Sequence, residues 1–318
     1  MNDVALLSDC HRHRNSTSTT NSSRDADADA AEHPPWRAGL DLAYSAASGI
    51  TVPTRRRHHG PLRILKGHRQ EGGDGWEQII VHPPGGIAAR DQLQIDVHAS
   101  EQARVLFTSP GAAKWYRSAQ PTGQAATQRT HLIADSGATI EWLPQENILF
   151  AGCDAQLQMQ VDLDPTAALL GAELICLGRP AGGQAFTHGR LRLQTCVSRS
   201  GSPLFIERID LQAGDRAMAA PAGLAGRVCF GTLLAVPAHH ADLTGRLTRL
   251  VSGVRERLAQ AMPPALGEVA VTALSQLIVV RWRGDHAEDG WQVLRAAWQL
   301  MRAEIVGRAA LAPRIWSC

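Results

Sequence analysis

The sequence predicts a mainly β fold closed by two C-terminal α-helices. Three observations carry that expectation. Apolar residues alternate with polar ones in short runs, most clearly at Leu93, Ile95 and Val97, which is the two-residue period of a half-buried strand. Turn formers punctuate such runs at intervals of ~30 residues, the mark of stacked strand pairs, a sandwich or a helically coiled sheet. Near the C-terminus the apolar spacing changes to that of a helix.

Residues 1 to 35 read as a tail. His11-Arg12-His13-Arg14 leads into NSTSTTNSSR, then DADADA, then His33-Pro34-Pro35. Few apolar groups offset the entropy of ordering, so the expectation is a disordered, solvated segment before a single β-rich domain over residues 36 to 318. From Leu40 the pattern is β. Val105 and Phe107 follow the polar break Ser100-Glu101-Gln102. His131-Leu132-Ile133 turns at Asp135-Ser136-Gly137 into Thr139-Ile140-Glu141-Trp142, and Val161 and Leu163 turn at Asp164-Pro165-Thr166. Each is read as a hairpin with an Ala a few residues past its polar turn. Leu191, Leu193, Thr195 and Val197 turn at Ser200-Gly201-Ser202 in the same way. One helix carries Leu243, Leu247, Leu250, Val251, Val254 and Leu258, with Asp242 near its start and Met262-Pro263-Pro264 as its stop. Val269, Val271 and Leu277 to Val280 read as strands. A second helix carries Trp291, Leu294, Trp298, Met301 and Ile305 as a core stripe, with Gly307 as its C-cap.

Composition narrows the function classes. A formal net charge of +2 supplies no field to recruit nucleic acid or anionic lipid. No apolar run approaches the ~20 residues of a membrane span, and no charged-then-apolar leader opens the chain. The six Cys form no C-x-x-C pair or zinc spacing, so a reducing cytoplasm is expected. P-loop, G-x-S-x-G and H-E-x-x-H strings are absent, so no bound nucleotide is expected.

The informative stretch runs from His82 to Glu146. HPPGGIAARD follows the apolar Ile79-Ile80-Val81; two prolines remove donors and stiffen the chain, and Gly85 and Gly86 then permit a sharp turn. SPGAAKWYRS is a second break and WLPQE a third. Proline there implies strand ends, placing Glu141 and Glu146 at a sheet rim.

Taken together these strings resemble the urease accessory protein UreD family, called UreH in some organisms. The family's loop reads close to HPPGGxxGGD, so Asp91 matches while Ala89 and Arg90 replace two glycines. Ser109 to Ser118 match TxPGAxKxYRS at Lys114, Tyr116 and Arg117. Glu141 to Phe150 match EWLPQExIxF, including Gln145, and Leu177-Gly178-Arg179-Pro180 match the start of LGRPASGExF. Pro221 to Leu224, Phe230 to Leu234 and Pro313 to Trp316 match further blocks in family order. Two acids are missing: Ala151 stands in an FDG block and Gln184 replaces an acidic residue, and Arg69 to Gly72 replace a YPEG-like string.

The resemblance implies a helically wound, two-layered β fold with C-terminal helices. It implies a non-catalytic scaffold that binds apo-urease and the accessory protein UreF, which carries the GTPase UreG, and that helps deliver nickel in transit. Weak, releasing ligands suit such transit. The candidates are Asp91 and Glu146, then Glu141 and His82, with Lys114 and Arg117 orienting carboxylates or meeting a partner. A rival reading is a β-rich hydrolase or carbohydrate-active enzyme, which needs two rim carboxylates in one cleft ~5–9 Å apart.

Overall fold

The computed structural model describes residues 35–70, 73–88, 90–117, 124–238 and 243–317. The expected tail up to Pro34 and the expected helix start at Asp242 lie outside them. Pro35 onward forms one compact unit.

Two sheets face each other across an apolar core. In the first, the order is Ser202–Gln212, Arg190–Arg199, Asp154–Leu163, Ala126–Ala134, Gln92–Ala99, Arg37–Ala47 and Ile50–His59. In the second it is Glu268–Ala273, Ile278–Gly284, Cys229–Val236, Ala168–Arg179, Thr139–Leu143, Arg104–Thr108, Trp76–Val81 and Arg63–Ile64. The chain alternates between layers: Trp76–Val81, Gln92–Ala99, Arg104–Thr108, Ala126–Ala134, Thr139–Leu143, Asp154–Leu163, Ala168–Arg179, Arg190–Arg199. Successive strands within each layer pair in parallel, as Gln94 with Arg129 and Gln158 with Gln194 in one, and Ile140 with both Val105 and Leu169 in the other. The fold is therefore mainly β, two-layered and helically wound.

Parallel winding corrects the hairpin reading of three turns. Ser100–Gln102, Asp135–Gly137 and Asp164–Thr166 join strands of opposite layers that do not pair with each other. Each turn stacks on the next coil. Asp135 N–H donates to Ala99 O, Asp164 N–H to Ala134 O, and Gly137 N–H to Thr166 Oγ1 at 2.9 Å. The small residue after each turn is Ala103, Ala138 or Ala167, all at most 1% exposed, because the chain crosses there from one layer to the other and leaves no room for a longer side chain. True two-residue hairpins occur at both flanks of the first sheet. Ser48-Gly49 joins its first two strands and Ser200-Gly201 its last two, all four residues with positive φ, the geometry that matches strand twist.

The helices cover the second sheet. A single-turn α1 (Arg216–Ala219) precedes α2 (Leu243–Ala261) and α3 (Ala287–Val306). The apolar stripes bury as expected: Leu247, Val251, Val254 and Leu258 from α2 join Trp291, Leu294, Trp298, Met301 and Ile305 from α3 in a second core against the sheet's outer face. Gly307 caps α3 in the left-handed conformation. The C-terminal turn is pinned by Trp316, whose Nε1 donates to Thr108 Oγ1 at 2.8 Å and whose ring meets Trp298 edge-on. Cys176 and Cys229 are free, buried and directly opposed across two strands. No helix of the described residues is long and apolar enough to cross a membrane.

Candidate functional site

The three Pro/Gly-punctuated loops converge. They close around a cleft of about 320 Å³ at one end of the sandwich, lined by His82, Gly85, Gly86, Lys114 and Gln145 among others, with Trp142 and Ile95 on its apolar walls. Gly86 is required by close approach: a Cβ there would stand 2.1 Å from Tyr116 Cε2. Tyr116 in turn stacks on Phe150 at 4.9 Å. Gly86→Ala is expected to push this ring off Phe150 and cost about 1–3 kcal/mol; in a Tyr116→Ala background the same substitution should cost little, as read by urea unfolding. His82 Nε2 is buried without a hydrogen-bond partner. Burial holds its imidazole below the usual range, opposed by the charge of Asp91. Lys114, Tyr116 and Arg117 are exposed. Arg179 lies outside this cleft, with its guanidinium against Gly182.

The carboxylates singled out from the sequence all have structural partners. Asp91 is 7% exposed; its Oδ1 accepts from Trp36 N–H at 2.9 Å and its Oδ2 from Ala88 N–H at 2.8 Å. It closes the proline-glycine loop on the first strand. Glu146 Oε2 accepts from Trp291 Nε1 at 2.9 Å, and Gln145 Oε1 from Arg295 at 3.1 Å, so the LPQE loop grips α3. Arg295 lies 4.5 Å over the Trp316 ring. Glu141 is 3% exposed and receives Arg302 through Nε and Nη2 and Trp298 through Nε1 at 2.8 Å. Each of Asp91, Glu141 and Glu146 thus answers donors of the frame, and none of the three lines the rim cleft. Ala151 sits in the turn after Phe150, and Gln184 is exposed beside Arg179.

The structure brings forward acids that the sequence reading passed over. Strand alternation turns Glu173 toward the space between the layers, on the face of Leu169 and Ile175. It stands across from Thr232, which stands across from Arg281. From the opposite layer Glu207, on the face of Phe205 and Leu211, pairs with Arg281. Arg281 also donates to Thr232 Oγ1 at 3.2 Å. Burial, and then the charge of Glu207, push the Glu173 carboxyl up to about 7. An acid shifted by burial and by a like charge, facing an interior, is a candidate functional group. The available signal was one Glu inside the apolar run ALLGAELICL.

This shift has a pH signature. Folded Glu173 holds its proton to about 7, while the unfolded chain releases it near 4.5. Its contribution to stability is thus full below pH 4.5 and is lost as pH rises through 7. Glu173→Gln should therefore gain on the order of 2–3 kcal/mol over the parent chain at pH 8, and little at pH 4. Parallel urea titrations at the two pH values check this.

Among the described residues no three of His, Cys, Asp and Glu gather closely enough to hold a metal ion. Fold and site together define a coiled, two-layer β scaffold with a loop-lined cleft at one end and an acidic row inside. The chain belongs to the UreD urease accessory protein family, whose model matches residues 37–317. It is 41% identical to the urease accessory protein UreD of Pseudomonas paraeruginosa over 90% of this chain and 96% of that protein. It is 39% identical to UreD of Nitrosococcus oceani over 89% of this chain and 90% of that one. Its identity to UreD of Nitrosospira multiformis is 35%, over 90% of this chain and 99% of that protein.

Proposed function

We propose that this chain is a cytoplasmic, non-catalytic scaffold of urease maturation. It docks apo-urease and UreF, and through UreF the GTPase UreG, and it passes nickel toward the urease site. GTP hydrolysis belongs to UreG. Membership of the urease accessory family over residues 37–317 carries this reading. The rim loops suit the docking role, because they present exposed Lys114, Tyr116 and Arg117 on a frame fixed by glycines and prolines.

For the cargo, Glu173 is a better candidate than Asp91 or Glu141, with Glu207, itself paired with Arg281, near enough to repel it; Glu146 and His82 remain candidates. A nickel ion needs oxygen ligands that it can leave. Asp91 and Glu141 are committed to backbone N–H groups and to a guanidinium. Glu173 has no ion-pair partner among the described residues, and a passing cation would relieve its repulsion by Glu207.

The test is co-expression with the urease genes and UreF and UreG. Deletion of this chain is expected to abolish urease activation, and full activity without it would overturn the scaffold role. Glu173→Gln with Glu207→Gln should keep UreF in pull-downs while lowering nickel loading of urease severalfold. Unchanged loading would remove the two acids from the route and leave the scaffold role standing.

A further inference from the structure

A second cavity, of about 650 Å³, lies under the C-terminal segment and is lined by His68, Arg69, Glu77, Arg302, Arg308 and Arg314 together with small and apolar residues. Four guanidiniums and an imidazole thus face one carboxylate. Two of the guanidiniums are balanced from behind: Arg302 by Glu141 and Arg308 by Asp74. Asp74 is shared with Arg104 at 3.7 Å, and the lining itself carries more guanidinium than carboxylate. Glu77, the carboxylate of the lining, is 7% exposed and stands 3.4 Å from His68 Nε2. Burial pushes its carboxyl up, against the pull of His68 and Arg314, which weakens the negative charge that it offers.

Donors are also left over. Arg308 Nε is buried with no hydrogen-bond partner. Arg302, 4% exposed, is held by Glu141 through Nε and Nη2 and reaches Gln70 Oε1 at 3.4 Å with its remaining Nη2 hydrogen. A buried donor without an acceptor carries an unrepaid desolvation cost, and an incoming oxyanion would remove it. Guanidinium forks match planar and tetrahedral oxyanions and repel a divalent cation. The volume lies within the range of small-molecule sites, and half-exposed Leu311 supplies an apolar wall.

We propose that this cavity binds a small molecule carrying an oxyanion, a carboxylate or a phosphate, and is separate from the nickel route. The arrangement does nothing for a metal ion in transit, and it shares no residue with the acidic row or the rim cleft.

The experiment is isothermal titration of the full chain with citrate and with inorganic phosphate, at low and high sodium chloride. Saturable binding of at least one probe, weakened by salt, is expected. Response to phosphate alone assigns a phosphate group, response to citrate alone a carboxylate, and response to both a general oxyanion site. Arg69→Gln and Arg314→Gln, at exposed positions where the fold should persist, are each expected to weaken binding about tenfold, the loss of one charged hydrogen bond. Lys66→Gln, outside the cavity, should leave binding unchanged, as should Glu173→Gln with Glu207→Gln. Absence of saturable binding by both probes, or equal binding by the double variant Arg69→Gln, Arg314→Gln, would overturn the proposal without touching the scaffold reading.

Discussion

Arg302→Ala is expected to cost about 3–5 kcal/mol of folding stability, enough to unfold a marginal domain. The side chains of Arg302 and Glu141 are 5% and 3% exposed and meet at 2.7 Å. Truncating the guanidinium strands a carboxylate in the core between α3 and the Thr139–Leu143 strand. It also releases the Ala309 carbonyl, which accepts from Arg302 Nη1. Pairing is what keeps the ions there, so replacing both with leucine should recover part of the loss. Recovery stays partial because Trp298 Nε1 then loses Glu141 as its acceptor. Urea unfolding of the single and double variants measures this; a single-variant cost below about 1 kcal/mol would mean that the pair is solvated and weak.

The second large effect concerns Asp91. Its two oxygens hold two backbone N–H groups, Ala88 just past the HPPGG loop and Trp36 at the entry to the first strand. Each charge-assisted bond contributes about 1.5–3 kcal/mol, so Asp91→Ala should cost about 2–4 kcal/mol once the loop relaxes. Asp91→Asn keeps one good acceptor and should fall between. Urease activation would drop with the alanine variant, as a route ligand would also predict, but the two roles separate on stability. A pure metal contact leaves thermal unfolding in metal-free buffer unchanged, whereas a loop clasp lowers it.

Much of the fold was legible because its periodicities are local. Leu93, Ile95 and Val97 alternate, the helix stripes repeat, and Ala103, Ala138 and Ala167 follow their turns at one spacing. The pairing was not legible. A strand, a short polar turn and a strand spell both a hairpin and a crossing between layers, and what separates them is a partner about one coil away. The site divides along the same line. The convergence of the rim loops could be read from proline and glycine at strand ends. The partners that occupy their acids could not, since Arg302 is 161 positions from Glu141 and Trp291 is 145 from Glu146. Glu173 was visible as a lone charge in an apolar run, but Arg281 comes near it only through pairing within the sheet, and Glu207 only when the layers close.

The two ends of the coil differ in how much change they tolerate. On one side the chain crosses in four residues, from Ala99 to Arg104, from Ala134 to Thr139 and from Leu163 to Ala168. One inserted residue there would shift the following strand by one and turn its core face to water. On the other side the connections from Thr108 to Ala126, Leu143 to Asp154 and Arg179 to Arg190 are long and carry most of the rim loops. Their length can drift between relatives, or be extended with a tag or a graft, while the ladders keep their register. The molecule thus separates an end that measures its own geometry from an end open to variation, so the rim loops can change without renegotiating the core.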